Sequence, residues 1–183
     1  AFQEKGGFDV VIANPPYVSH DKIKEKKALK NAYSSYEPFA DLYCYFIELA
    51  INLQGNKGLL CYITSNSYLR ADYGSFLRDI IRTKNRINQV INIEDFQIFD
   101  SAIVNTAILI SQKRWRADLK ECLIVNSRYM GDVHFQGFVD KNRFNYSQED
   151  FCSKSWTLVS KERLKLKNKI EEKGNSLESY STK

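Results

Sequence analysis

Apolar residues along the chain fall into short runs that alternate with segments of helical periodicity. Residues 8–13 and 59–64 are nearly continuous apolar runs, which is the pattern of strands buried on both faces of a parallel sheet. Residues 42–53 and 73–82 instead place apolar side chains at helical spacing. Further strands are predicted at residues 87–93, 106–110 and 123–125.

The order strand–helix–strand–helix–strand predicts an α/β fold with a mostly parallel sheet. The last strands follow one another too closely for a crossover helix, which predicts an antiparallel hairpin at one edge. Residues 20–36 are polar and are predicted as a long loop or a loosely helical segment. Residues 151–173 are predicted as a tryptophan-containing loop followed by a basic helix.

Composition narrows the class of protein. A chain of 183 residues with 43% hydrophobic residues is long enough for one domain with a buried core. It contains no apolar run of about 18 residues, so no membrane partner is expected, and its first residues lack the pattern of a signal peptide. The four cysteines are scattered without a CxxC pair, which favours buried free thiols in a reducing cytoplasm over zinc or disulfides. The two histidines are isolated, so no metal site is expected.

The formal net charge of +5 is compatible with nucleic-acid binding but does not establish it. Lysines concentrate in residues 21–30 and 161–173. A solvated helical face is the favoured interpretation of each segment, and contact with phosphates is the alternative for residues 161–173.

A proline-rich loop follows the first predicted strand. Asn14-Pro15-Pro16-Tyr17, called the NPPY loop below, comes directly after residues 8–13. In open α/β sheets, ligands bind beyond the carboxyl ends of the strands. Two consecutive prolines stiffen the loop, so the Asn14 side chain and the Pro15 carbonyl are held in a fixed relation while Tyr17 projects an aromatic face nearby.

Such a loop suits chemistry on an exocyclic amino group, whose lone pair is delocalised into its ring. An amide oxygen and a carbonyl can bind the two N–H groups and free the lone pair, while an aromatic side chain stacks on a base that has left the duplex. Methyl transfer needs alignment more than a strong base. The alternative is that Pro-Pro-Tyr forms a turn or a polyproline ligand; the preceding strand and the leading Asn14 favour the chemical interpretation.

Residues 8–18 resemble motif IV of amino-methylating DNA methyltransferases, most closely the adenine-N6 branch of type IIG restriction–modification enzymes and their stand-alone relatives. The resemblance continues through residues 41–48, 58–69 and 76–78. It implies the C-terminal half of a Rossmann-like class I methyltransferase sheet. It also implies transfer of a methyl group from S-adenosylmethionine to the N6 amino group of adenine in DNA. The catalytic residues would be Asn14, Pro15, Pro16 and Tyr17.

Residues 96–110 resemble the phenylalanine-bearing loop and strand of motif VIII in that family. There the phenylalanine packs against the flipped adenine, and its place before the strand corresponds best to Phe99, with Phe96 second. The resemblance therefore assigns base stacking to Tyr17 and Phe99. Without it, Phe99 reads as an ordinary core residue.

The family's donor-binding motifs should precede the NPPY strand, and seven residues stand before Phe8. We therefore expect residues 1–126 to be a partial catalytic domain without its donor-binding half, although Asn14 could line the donor site. Residues 127–183 would be an extension whose basic helix leads toward a target-recognition domain. The chain is expected to be a fragment that is inactive alone, binds no S-adenosylmethionine and belongs to a protein that could also carry a nuclease.

The expected partners are double-stranded DNA with a flipped adenine and the remainder of the same polypeptide. An apolar edge strand at residues 8–13 would also favour self-association. Two other functions remain open. The same loop occurs in enzymes that methylate glutamine in proteins or guanine in RNA, and a non-catalytic DNA-binding or assembly module could share the fold.

Overall fold

The computed structural model describes residues 6–94, 105–113, 121–129, 131, 134–152 and 154–174. Short 3-10 turns lie at His20–Lys22, Ser67–Leu69, Asp72–Gly74 and Gln148–Asp150. The helices and strands follow the order β1 (Phe8–Ala13), α1 (Lys26–Ala32), α2 (Leu42–Leu53), β2 (Gln54–Ser65), α3 (Ser75–Lys84), β3 (Asn85–Glu94), β4 (Thr106–Lys113), β5 (Glu121–Arg128), α4 (Phe135–Asn142), β6 (Arg143–Ser147) and α5 (Lys161–Lys173).

The strands of the described residues form one six-stranded sheet in the order β1-β2-β4-β3-β5-β6. β1 pairs with β2 and β3 pairs with β5 in parallel. β4 runs antiparallel between β2 and β3, and β6 runs antiparallel beside β5. Four of the six strands therefore share one direction, which confirms the mostly parallel α/β architecture.

The antiparallel strands occupy two different places. β6 pairs with β5 at the edge of the sheet, so an antiparallel pair does lie there. β4, by contrast, folds back as a hairpin after β3 and inserts between β2 and β3, inside the sheet. Its interior position follows from pairing on both sides, which the spacing of apolar runs along the chain does not specify.

Three elements differ from the sequence prediction. The polar segment 20–36 contains a defined helix, α1, and residues 135–147 form α4 and β6, for which no element was predicted. Residues 55–58, which contain two glycines, belong to the start of β2, where the pairing with β1 shifts register. The domain boundary at residue 126 stays a prediction, although β6 belongs to the same sheet as the earlier strands.

The two faces of the sheet are covered unequally. On one face, α2 and α3 pack on the inward-facing side chains of the strands and form the main core with them. Ile47 of α2, Leu77 of α3 and Leu109 of β4 are each 0% exposed in this core. On the other face, α4 packs Phe138 against Ile91 and its neighbours in a smaller cluster. Burial of apolar surface on both faces is the main source of stability.

Arg78 of α3 is fully buried and ties two loops to the core. Its guanidinium donates to the carbonyl oxygens of Tyr68 at 2.6 Å and Ala71 at 2.8 Å, and also to that of Lys154. Gly74 makes room for this arrangement, because a Cβ there would lie 2.4 Å from the Tyr68 oxygen and 2.6 Å from Arg78 Nη1. The loop after β2 and the C-terminal segment are thus held by one side chain.

One face of the edge strand β1 is exposed among the described residues. This strand stands at the end of the sheet, and alternate side chains of it are exposed: Val10 by 56% and Ile12 by 74%. Val11 and Ala13 point the other way and pack on the main core. An exposed apolar edge strand invites pairing with another chain.

Replacing Arg78 with leucine should destabilise the protein by about 3 kcal/mol, because the buried carbonyl of Tyr68 and the partly buried carbonyls of Ala71 and Lys154 lose their donor. Chemical denaturation monitored by tryptophan fluorescence measures the change. The matched control is Arg82→Leu on the same helix, where a partly exposed arginine pairs with Asp79 and removal should cost roughly 0.5 kcal/mol. Equal losses in the two variants would contradict the role of Arg78.

The isolated chain should associate through β1, and the double substitution Val10→Lys and Ile12→Lys should shift it toward monomer, because charged edges resist strand pairing. Sedimentation velocity over a range of concentrations measures the distribution. A wild-type chain that stays monomeric at high concentration would contradict this expectation.

Candidate functional site

A polar pocket of about 400 Å³ opens at the edge of the sheet where β1 and β2 end. Because β4 runs antiparallel, its first residues reach the same edge and bring Asn105 into the wall. The pocket is large enough for one planar heterocycle. Its lining consists of Tyr17, Ser19, Asp41, Tyr43, Ser65, Asn66, Ser67 and Asn105.

The NPPY loop leaves β1 and crosses toward α2. The Val18 amide donates to the Pro16 carbonyl at 3.1 Å, and the Leu42 amide donates to the Val18 carbonyl at 2.9 Å. This second bond fastens the loop to the start of α2. Two prolines and these two bonds give the loop one conformation.

Of the predicted site residues that the structure describes, only Tyr17 lines the pocket. Tyr17 is half-buried, lines the pocket and lies with its hydroxyl 3.5 Å from the Ile63 carbonyl of β2. Pro15 is buried beneath the loop, while Asn14 and Pro16 are exposed. Asn14 directly follows β1, the strand at one edge of the sheet, and is not part of the pocket lining.

Phe99 and Phe96 lie outside the described residues, so their base-stacking role stays a prediction. The described residues on either side of this segment are Glu94, which ends β3, and Asn105, which lines the pocket.

The pocket is polar and its phenols stay neutral. Burial raises the pKa of Tyr17 and, more strongly, that of Tyr43. Asp41 contributes a carboxylate to the lining, and its Oδ1 accepts a hydrogen bond from the His20 backbone amide at 2.9 Å. The phenols therefore offer neutral hydroxyls and aromatic faces rather than bases.

The sequence analysis missed most of the lining. Ser65 and Asn66 stand at the end of an apolar strand just as Asn14 does, so the strand-end rule that selected Asn14 could also have selected them. Asn105 could not be found in that way, because its position depends on β4 running antiparallel. Tyr43 fits the helical pattern of α2 and is indistinguishable from a core residue in the sequence.

The pocket lining includes no glycine-rich loop that could hold S-adenosylmethionine. The glycine turn at residues 55–58 lies at the opposite end of β2 from the pocket, where Gly58 approaches the backbone of Phe8: a Cβ on it would come within 2.6 Å of that residue's carbonyl oxygen. It is a packing turn, not a donor cradle. Across the described ranges, no group of three or more His, Cys, Asp or Glu residues could hold a metal ion, and no helix is long and apolar enough to cross a membrane.

The lysine-rich helices lie at the surface. In α5, Lys161 forms an ion pair with Glu121 at 3.0 Å, which holds the first turn of the helix to β5. Leu166 and Ile170 of the same helix are 59% and 60% exposed. In α1, Lys26 donates to the Pro38 carbonyl at 3.3 Å.

Two relatives are similar to a little more than half of the chain. The type II restriction enzyme and methyltransferase RM.Eco57I of Escherichia coli is 30% identical over 112 residues, which are 58% of this chain and 11% of that protein. The type II methyltransferase M.BstVI of Geobacillus stearothermophilus is 29% identical over 98 residues, which are 52% of this chain and 18% of that protein. The chain spans less than a fifth of either relative.

Two solved structures share the fold. The type IIG restriction endonuclease BpuSI superposes with a TM-score of 0.61 at 14% identity, covering 93% of this chain and 23% of that chain. A putative class I S-adenosylmethionine-dependent methyltransferase from Listeria monocytogenes superposes with a TM-score of 0.53 at 20% identity, covering 69% and 38%. These likenesses place the sheet among class I methyltransferase folds.

Residues 1–99, more than half of the 183, match the family described as Eco57I restriction-modification methylase. This match contains the NPPY loop, α2, β2 and most of the pocket lining. The chain belongs to the Eco57I restriction-modification methylase family.

Proposed function

We propose that this chain is the base-binding part of a site-specific DNA methyltransferase that methylates the N6 amino group of adenine in a restriction–modification system. The observation that carries the proposal is the position of the NPPY loop. It follows the edge strand β1 directly and places Tyr17 in the wall of a polar pocket at the carboxyl end of the sheet.

The target amino group is oriented by two acceptors. The Asn14 side-chain oxygen and the Pro15 carbonyl accept hydrogen bonds from its two N–H groups. Amino hydrogens held in this way leave the nitrogen lone pair directed at the methyl donor. Rigidity matters here, because the rate of transfer depends on alignment, and the buried Pro15 fixes the loop on the sheet.

The adenine itself is held by aromatic stacking. Tyr17 presents its ring to the pocket, and its raised pKa keeps the phenol uncharged. Phe99 is the second stacking residue in this proposal. Stacking on two aromatic rings compensates for the base pairing and stacking that adenine loses when it leaves the duplex.

The partners are double-stranded DNA and the remainder of a longer polypeptide. The bare outer face of β1 and the exposed Asn14 are where that remainder would complete the catalytic domain of residues 1–126. Residues 127–183 would carry α5 toward a target-recognition domain. S-adenosylmethionine supplies the methyl group when it is bound by that larger protein.

The isolated chain should neither bind S-adenosylmethionine tightly nor methylate DNA, because the pocket lining contains no glycine-rich loop and the glycine turn at residues 55–58 packs against β1. Calorimetric titration of the purified chain with S-adenosylmethionine should give no saturable heat in the micromolar range. Micromolar affinity would contradict the proposal that the remainder of the larger protein binds S-adenosylmethionine.

In the complete gene product, Asn14→Ala should lower kcat for adenine methylation by about 100-fold or more while DNA binding is retained, because alignment of the amino group is lost. Transfer of a labelled methyl group to DNA measures the rate. The matched control is Asn145→Ala on β6, an exposed asparagine on a different edge of the sheet, which should leave the rate unchanged. An active Asn14→Ala variant would contradict the assigned role.

The same assay separates the alternatives. The complete protein is offered adenine-containing DNA, RNA and protein acceptors in parallel. Methylation of RNA or of glutamine in a protein would replace the proposed substrate, and binding of DNA without any transfer would identify a non-catalytic module.

A further inference from the structure

The lysine-rich segment between the NPPY loop and α2 is fixed at both ends by carboxylates, one at the start of α2 and one in its middle. At the start of the segment, the His20 backbone amide donates to Asp41 Oδ1 at 2.9 Å. At its end, the Ser34 amide donates to Glu48 Oε1 at 3.0 Å and the Ser35 amide donates to Glu48 Oε2 at 2.8 Å. The two carboxylates are about two helical turns apart, so the segment lies along one side of α2.

The inner side of this segment is packed as well as hydrogen-bonded. Glu48 is only 2% exposed, and a buried carboxylate is costly unless its oxygens accept hydrogen bonds, as both do here. Ile23 is 9% exposed, and Leu29 of α1 packs on the main core. The ring of Tyr33 lies 5.5 Å from that of Tyr45 in α2. The segment is therefore a fixed part of the fold.

The side of α1 that faces away from the core is basic. Residues 21–30 contain five lysines and two acidic residues, and Lys24, Lys27 and Lys30 are exposed. Among the described residues, none forms an ion pair or a hydrogen bond with the ammonium groups of these three lysines. Lys27 and Lys30 are neighbours on the helix surface, with their Cβ atoms roughly 5–6 Å apart. These three lysines are called the α1 basic surface below.

The α1 basic surface stands beside the pocket. Ser19 lines the pocket, and the Cα atom of Lys22 can lie no more than roughly 11 Å further along the chain. Lys26, in the first turn of α1, donates to the carbonyl of Pro38, three residues before the pocket residue Asp41. A flipped base stays attached to its strand, so the phosphates that flank it pass close to the pocket. Lysine side chains that start from α1 are therefore placed to meet those phosphates.

We infer that the α1 basic surface binds the phosphates that flank the flipped adenine, and that Glu48 holds this surface in place before DNA arrives. The inference rests on the proposed function and deepens it, since it names where the duplex contacts this chain. Phosphate contacts carry no sequence information, but they fix the position and orientation of the duplex. A surface that is already ordered loses little conformational entropy on binding. The charge pattern alone favours a solvated face, and the position beside the pocket changes that interpretation.

The test compares DNA binding by two variants of the complete gene product that lose the same charge. Lys27→Gln with Lys30→Gln removes two lysines of the α1 basic surface. Lys57→Gln with Lys84→Gln removes two exposed lysines at the opposite end of the sheet, where β2 and β3 begin. Glutamine has nearly the helix propensity of lysine, so both variants should fold. Fluorescence anisotropy measures the affinity for a duplex that carries the methylated site and for one that lacks it, over a range of salt concentrations.

The plot of log affinity against log salt concentration should become shallower by about 2 when Lys27 and Lys30 are replaced, because each lost phosphate contact removes roughly one released counterion. The change should be the same for both duplexes, since phosphates do not report the sequence. The variant at Lys57 and Lys84 should keep the slope of the wild type.

Glu48→Gln tests whether the surface has to be fixed. An amide offers one acceptor oxygen, so the Ser34 or the Ser35 amide loses its bond. Hydrogen exchange in residues 26–35 should become faster, and the affinity for both duplexes should fall. The loss of affinity should be smaller when Lys27 and Lys30 are already glutamine, because Glu48 acts through these lysines.

Four outcomes overturn the inference. A wild-type slope after replacement of Lys27 and Lys30 would make α1 a solvated face and leave the proposed function standing. Equal changes of slope in the two lysine variants would show a response to net charge alone. An equal effect of Glu48→Gln with and without the lysines would remove its positioning role. A complete wild-type protein that neither binds nor methylates DNA would overturn the inference together with the proposed function.

Discussion

The buried guanidinium of Arg78 is the constraint on which the functional edge of this protein depends. It lies in α3, below the pocket, and binds backbone carbonyls from the loop after β2 and from the C-terminal segment. Burial lowers the pKa of this arginine, yet a guanidinium titrates so high that it stays charged at neutral pH. A buried charged group needs hydrogen-bond acceptors, and here they are backbone carbonyls of the loop after β2 and of the C-terminal segment.

Around that anchor, the pocket forms from the ends of strands. β1 and β2 deliver the NPPY loop and Ser65, and antiparallel β4 delivers Asn105 to the same edge. Apart from the Asp41 carboxylate, the lining side chains combine neutral hydrogen-bonding groups with aromatic surface. Such a lining suits a planar polar heterocycle better than a phosphate or a metal ion.

Much of this could be predicted from the sequence. Helix α2 and strands β1 and β3 lie close to their predicted positions because their apolar patterns are long and regular. The interior position of β4 and the existence of β6 could not be predicted, because strand order depends on pairing between residues far apart in sequence. For the site, proline stiffness and the strand-end rule identified residues 14–17, and Tyr17 does line the pocket. The hydrogen bond from Asn66 to Asn92 could not be predicted, because a bond from the end of β2 to β3 across the intervening β4 has no local sequence signal.

The hydrogen bonds that hold the C-terminal segment have a consequence for how such proteins diversify. Arg78 and Asn126 hold this segment by the carbonyl oxygens of Lys154 and Leu158, and Leu69 accepts the backbone N–H of Trp156 at 2.8 Å. Every amino acid offers the same carbonyl oxygen, so the bonds to Lys154 and Leu158 do not depend on side-chain identity, whereas Trp156 and Leu158 are also held by burial of their side chains in the main core. A junction of this kind accepts new side chains at its exposed positions, such as Lys154, without disturbing the edge that carries the pocket. Main-chain anchoring thereby lets the exposed part of this segment vary in sequence while the pocket keeps its geometry.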